Sequence, residues 1–401
     1  MLPGSGSDTD WAERGWTMTH RIVVLGAGYA GLLAARRIAE GVDARVTLVN
    51  AADEFVERVR LHQAAAGQRL HRWPLEDIVR DAGIELVLGR VTGIDADRRE
   101  VVVDGDRALG YDKLVYALGS HADVESVPGV ARHALAVATA TDAAELRVRA
   151  AELAARGGVL GVVGGGSTGI EAATELAETY PDLRVRLLAG PEPLGWLSPK
   201  GRAHVHRVFD RLGIESTPGG LVSEVRDDRI VFADGSEVEV DATLWSAGFR
   251  VPGFAAEAGL ECDGTGRIRV DASMRSVSHP DVYAVGDAAR ARAHGGPELR
   301  MSCAAGLPMA GRAARSIIAE LTGDTPKPLR FRYYNLCLSL GRRDGLIQFV
   351  HGDDTPRNAV LTGPTAARYK ETIVRGAAWV VRRSPYVGRR GKPVLGSALG
   401  V

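Results

Sequence analysis

Gly26, Gly28 and Gly31 form a Gly-x-Gly-x-x-Gly turn, directly after the apolar run Arg21-Ile22-Val23-Val24-Leu25 and ahead of an alanine-rich stretch, 32–40. The run suits a buried parallel strand and the stretch behind it a helix. In that setting each glycine has a task. The first permits a tight turn, the second lets backbone approach a pyrophosphate, and the third lets helix and strand pack closely. The helix N-terminus adds unpaired N–H groups and the positive end of its dipole. The pattern returns at Gly164, Gly166 and Gly169, between the run 158–163 and the helical stretch 170–179. One such turn is weak evidence. Two, each between a strand and a helix, point to two dinucleotide sites in one chain.

Other residues extend these sites. Asn50 ends the strand 45–49, where a side chain meets ribose; its amide can bond a hydroxyl and equally suits a turn. After the second turn the corresponding strand ends Leu188-Ala189-Gly190. No acid is there to bind a 2′-hydroxyl and repel a 2′-phosphate. Arg184 and Arg186 are candidates for a phosphate partner, so NADH and NADPH both remain open. The segment 111–120 reads as a strand ending in small residues, which lets the chain pass beside a cofactor. The segment 280–287 is another strand, ending in Gly286-Asp287, whose carboxylate can hold a sugar hydroxyl.

The elements that position these residues follow from the wider pattern. At 401 residues the chain has room for two or three domains. Asp142 and Glu145 read as a capping box opening a helix toward Arg156, and Ser198-Pro199 as another helix start. Pro326 and Pro328 mark a linker, and a helix is expected near 366–383. Fifty basic and fifty acidic side chains cancel, which argues against nucleic acid as a partner. Cys262, Cys303 and Cys337 lie far apart with no Cys-x-x-Cys, so neither a disulfide framework nor a cysteine zinc site is expected. His62, His204 and His206 show no metal-ligand spacing, and no metal is expected. Nothing in the sequence reads as a secretory signal or a spanning helix, so the chain is read as cytoplasmic.

With both turns, the strand at 111–120 and Gly286-Asp287, the sequence resembles the two-dinucleotide-binding-domain FAD/NAD(P)-dependent oxidoreductases, within them most nearly the type II NADH dehydrogenase-like proteins. The resemblance implies an α/β fold of two Rossmann-like dinucleotide-binding domains, the FAD domain split by an inserted NAD(P) domain, plus a C-terminal interface region. The boundaries expected are 1–18 as a disordered lead, 19–135 and 253–325 for the FAD domain, 136–252 for the NAD(P)H domain, and 326–401 for the interface region. It implies non-covalent FAD at Gly26, Gly28, Ala30, Gly31 and Asn50, with Val91, Ala117, Gly119, Gly286, Asp287 and Ala304 also against it, Asp287 at the ribityl chain. NAD(P)H would lie on Gly164, Gly166, Ser167, Thr168 and Gly169, with Gly248 in the small-residue turn returning from that domain. Glu171 matches a glutamate beside nicotinamide and flavin, and is the catalytic candidate; it also suits an ordinary first-turn helix position.

The departures bear on chemistry. The helix after Asn50 holds no redox cysteine pair, and no flavin-monooxygenase motif occurs. The family's Ala-Gln-x-x-x-Gln run at the quinone site is absent, with Ala304 and Pro308 in the glutamine positions. The implied activity is NAD(P)H oxidation with hydride transfer to FAD N5, then electron transfer to a quinone or another small acceptor. The alternatives are a tailoring or oxidase flavoenzyme and a reductase for a redox carrier protein. Residues 365–401 carry eight Lys/Arg and one Glu. There Tyr369, Ile373, Ala377 and Val380 share a helical face, which suits peripheral contact with the inner face of the cell membrane, although Lys370 intrudes on it. A homodimer is also left open, and Cys303 reads as an inert small hydrophobe.

Overall fold

The computed structural model describes residues 20–190, 192–217, 219–383 and 391. The expected disordered lead, 1–18, and most of 384–401 lie outside these residues. In chain order, β1 (Arg21–Leu25), α1 (Tyr29–Gly41), β2 (Arg45–Asn50), α2 (Leu61–Ala65) and β3 (Glu85–Leu88) come first. A three-stranded antiparallel meander follows, β4 (Val91–Asp95), β5 (Glu100–Val103) and β6 (Arg107–Gly110), then β7 (Lys113–Tyr116). Next are β8 (Ala134–Leu135), α3 (Ala140–Ala154), β9 (Val159–Val163), α4 (Ser167–Thr179), β10 (Arg184–Leu188), α5 (Pro199–Leu212), β11 (Glu215–Thr217) and β12 (Ala242–Trp245). The chain returns through β13 (Val282–Ala284) and α6 (Cys303–Leu321). It ends in β14 (Asn335–Ser339), β15 (Gly345–Val350), β16 (Pro356–Thr362) and α7 (Gly363–Arg383).

Two parallel sheets organise the chain. The first has the order β13-β7-β1-β2-β3 and the second β11-β10-β9-β12-β8. The edge strand β13 is made after the whole second sheet, so the first unit is split in sequence around the second. Both sheets have apolar central strands: Ile22–Leu25 and Val159–Val163 are buried throughout. That is what a sheet covered on both faces requires. Each turn follows the C-terminal end of its central strand, where ligands of open α/β sheets bind.

The third sheet, β14-β15-β16, and α7 form the C-terminal region, which packs on both units. Here α7 lies on α1, β14 on α4, and β16 on α5. The buried Asp344, before β15, takes His204 Nε2 at 2.8 Å and Arg211 Nη1 at 3.0 Å from α5. His204 thus serves an internal hydrogen bond. The capping box of α3 is three residues earlier than expected. Thr139 is the N-cap and Asp142 the reciprocating acid, because Thr139 Oγ1 accepts from the Asp142 N–H at 3.1 Å while Asp142 accepts from the Thr139 N–H at 2.9 Å.

Candidate functional site

The two turns share one geometry. Gly26 has φ +92°, and a Cβ on it would lie 2.6 Å from the Ala117 carbonyl oxygen; one on Gly31 would lie 1.9 Å from Gly26 O. Gly164 has φ +123° with Ser246 Oγ 2.6 Å from an added Cβ, and one on Gly169 would meet Gly164 O at 2.1 Å. The first and third glycines are therefore required by the protein itself. A Cβ on Gly28 or Gly166 would meet nothing within 4 Å. Their cradles are open on the side where α1 and α4 begin, the arrangement that receives a pyrophosphate at a helix N-terminus. Trp196 Nε1 donates to Gly165 O at 2.9 Å and pins the second turn. Asn50 is engaged in the first: its Oδ1 accepts from the Ala27 N–H at 2.9 Å and its Nδ2 donates to Ala52 O at 2.8 Å.

A cavity of about 460 Å³ joins the two turns. On the first unit's side it is lined by Gly28, Ala30, Ala117, Gly119, Gly286 and Asp287. On the second unit's side it is lined by Ser167, Thr168, Glu171 and Gly248. Asp287 accepts from Ser120 Oγ at 2.7 Å, and Arg58 Nη1 stands 3.8 Å from its carboxylate. Ala304 lines the cavity and Pro308 does not, so only one of the two substituted glutamine positions faces it. Val91 does not line it; it starts β4 and is buried in the first unit's core.

Glu171, in the first turns of α4, carries the densest chemistry. It is buried, yet its Oε1 pairs with Lys370 Nζ and accepts the Ser339 N–H at 3.0 Å. His62 Nδ1 stands 3.8 Å from its Oε2. Burial alone would raise this carboxyl; the Lys370 ammonium, then His62 and the Ser339 N–H, outweigh it and hold it below the ordinary carboxylate range. Burial pushes His62 down to about 4 against the pull of Glu171, so its imidazole is neutral at neutral pH. Glu171, His62 and Lys370 all line the cavity. Cys303 and Cys337 line it too, but burial pushes their thiols up to about 12 and about 11, so neither is a ready thiolate.

Lys370 corrects the reading of the C-terminal helix. The buried positions of α7 are Ala366, Lys370, Val374, Ala378 and Val381, while Tyr369 and Ile373 are exposed. The lysine is on the inward stripe because Glu171 waits there. A lone cation within an apolar stripe is the signal that could have revealed it, since such a charge needs a buried partner. Arg184 and Arg186 are held by partners within the second unit. They are the first and the middle residue of β10, and bond Gly157 O at 3.0 Å and Glu215 at 2.7 Å respectively. Among the described residues no group of His, Cys, Asp and Glu could hold a metal ion.

Two parallel sheets, two open glycine cradles and one shared cavity define a dinucleotide-linked oxidoreductase. Residues 20–306 match the pyridine nucleotide-disulphide oxidoreductase family, and the chain belongs to it. FAD and NAD(P)H are its cofactors, and it is an NAD(P)H oxidoreductase. An NADH dehydrogenase-like protein of Mycobacterium tuberculosis is 29% identical over 374 residues, 88% of this chain and 92% of that one. A type II NADH:quinone oxidoreductase of Staphylococcus haemolyticus is 26% identical over 411 residues, 93% of this chain and 98% of that one. The sulfide:quinone oxidoreductase structure of Aquifex aeolicus superposes with a TM-score of 0.79 at 21% identity, covering 92% of this chain and 93% of that one, which is a likeness of fold.

Proposed function

We propose that the chain passes electrons from NAD(P)H through FAD to a quinone admitted to the cavity between the two units. The observation that carries this reading is the Glu171–Lys370 pair on the wall of that cavity. FAD, when bound, accepts the hydride and passes on the electrons. The residues bind, orient and supply protons. Gly26, Gly28 and Gly31 with α1 hold the FAD pyrophosphate, and Asp287, oriented by Ser120, holds a hydroxyl of its sugar chain. Gly164, Gly166, Ser167, Thr168 and Gly169 hold NAD(P)H. The Lys370 ammonium donates to a carbonyl oxygen of the acceptor, and Glu171 fixes that ammonium in place.

The quinone reading is supported by the likeness to the NADH:quinone oxidoreductase of S. haemolyticus. It does not depend on the family's two glutamines, because Lys370, which also lines the cavity, supplies the donor. No described helix is long and apolar enough to cross a membrane. The exposed Ile373, at 48%, lines the cavity, and Tyr334 and Trp379 are exposed as well, with Arg368 and Arg375 on the outer side of α7. This favours a cytoplasmic protein resting on the inner face of a membrane that supplies the acceptor. With a water-soluble quinone, the purified protein should oxidise NADH or NADPH in a quinone-dependent way, and Lys370→Met should lower that turnover by about 100-fold. Quinone-independent oxidation with the same rate in the variant would contradict the reading.

A further inference from the structure

Arg300 stands just ahead of α6 and opens the run 300–304, all of which lines the cavity. Tyr333 fixes its place. The Arg300 backbone N–H donates to Tyr333 Oη at 3.0 Å, and the guanidinium lies over the Tyr333 ring, 4.7 Å from its centroid. That ring is buried in the first unit's core, with Phe331 set edge-on against it at 4.8 Å, so the guanidinium rests on a firm platform. Its Nη1 reaches Asp354 Oδ2 at 2.7 Å. Its Nε and Nη2 have no partner among the described residues, and the side chain is 31% exposed.

Asp354 is a poor counter-ion. It is held in the left-handed region, φ +75°, and its Oδ1 is buried without a partner. Burial raises its carboxyl above the ordinary range against the pull of Arg300. It also lies off the cavity wall, behind the arginine. The other cations of that wall are matched on it: Arg58 stands 3.8 Å from Asp287, and Lys370 pairs with Glu171. His62 is neutral at neutral pH. Three cations thus face two carboxylates, and the excess charge is that of Arg300. Its field reaches into the cavity. Lys370 and, after it, Arg300 pull down the Cys337 thiol against the larger effect of burial, so both cations bear on one stretch of wall. The side chains of Met301, Leu336 and Ile373 add apolar surface there, and Ala304 adds no polar side-chain atom.

A guanidinium with spare donors, on a partly dry wall of net positive charge, is suited to an anionic oxygen. We propose that Arg300 sets the acceptor specificity: the acceptor is a quinone that carries an anionic group, an ionised ring hydroxyl or a carboxylate, in preference to a neutral quinone. The proposal rests on the quinone reading above and names the class of quinone. A ring carbonyl oxygen faces Lys370, and the anionic oxygen takes the free donors of Arg300. The redox balance is that of any quinone: the hydride brings two electrons and one proton, and a second proton from water completes the quinol. Arg300 keeps its own protons throughout, so its part is recognition.

The test uses the FAD-loaded full chain, NADH, and two probes of one ring system, the anionic naphthoquinone sulfonate and the neutral menadione. At low salt the KM for the sulfonate should be lower than that for menadione by about tenfold or more. It should rise with ionic strength, whereas that for menadione should not. In Arg300→Gln the sulfonate KM should rise by about tenfold while its kcat stays within about twofold. The menadione KM and the bleaching of the flavin by NADH should stay as in the native chain, and Arg300→Lys should restore part of the sulfonate affinity. A merely structural role would move both probes together, and that result overturns the proposal. So does a native KM for the sulfonate no lower than that for menadione; with menadione still reduced, the quinone reading then stands without it. Should Arg300→Gln fail to fold, the native chain decides: a sulfonate KM that salt leaves unchanged overturns the proposal. A flavin that NADH bleaches and neither probe restores is a different result, since it removes the quinone reading and this specificity with it.

Discussion

At the scale of single residues, the site is a problem in compensating buried charge. Glu171 and Lys370 are both buried, and each makes the other tolerable. Lys370→Met leaves the carboxylate alone and should cost about 3–5 kcal/mol in thermal or denaturant unfolding. The double variant with Glu171→Gln should recover much of that, and the cycle isolates the coupling. Glu175 and His62 shape the pH dependence in opposite directions. The Glu175 carboxyl is raised to about 7, so the folded chain binds more protons than the unfolded one from the ordinary carboxylate range up to that value. Its contribution is present at low pH and lost as pH rises through about 7. Glu175→Gln should therefore gain stability relative to native as pH rises from about 5 to 8. His62 is lowered to about 4, so its contribution is present above its ordinary value and lost as pH falls toward about 4. His62→Gln should lose less stability than native on acidification, as read from unfolding curves at several pH values.

At the scale of elements, the glycine turns separate folding from binding. A Cβ on Gly31 collides with backbone, whereas one on Gly28 enters open space. Gly31→Ala should yield poorly folded protein. Gly28→Ala should keep the apo fold but weaken FAD retention, measured by flavin content after gel filtration; Gly166→Ala should instead raise the KM for the nicotinamide. This division was readable from residues alone, because strand, turn and helix are adjacent in sequence. The Glu171–Lys370 pair was not, because its partners lie 199 residues apart and meet only when α7 folds back. The same distance hid why Lys370 interrupts an apolar stripe. The early register of the α3 cap escaped because Thr139 and Asp142 satisfy the same pattern as Asp142 and Glu145.

At the scale of the whole molecule, the C-terminal region closes a cavity that neither parallel sheet could complete alone. It brings Lys370 from α7 and the Ser339 N–H from β14 onto Glu171 of the second unit. It also ties α7 to the first unit, where Arg60 makes a bidentate pair with Glu371 at 2.8 and 2.9 Å. If the exposed outer side of α7 rests on a bilayer, Trp379→Ser, at an exposed residue that does not line the cavity, should lower sedimentation with anionic vesicles while leaving turnover with a water-soluble quinone in place. The most direct test of the central claim is the visible spectrum of the purified protein without oxygen, recorded as NADH or NADPH and then a quinone are added. A flavin spectrum that NAD(P)H bleaches and quinone restores is the expected result. A flavin-loaded protein that neither nucleotide bleaches would contradict the account, and one that bleaches but is not restored by quinone would contradict its assignment of the acceptor.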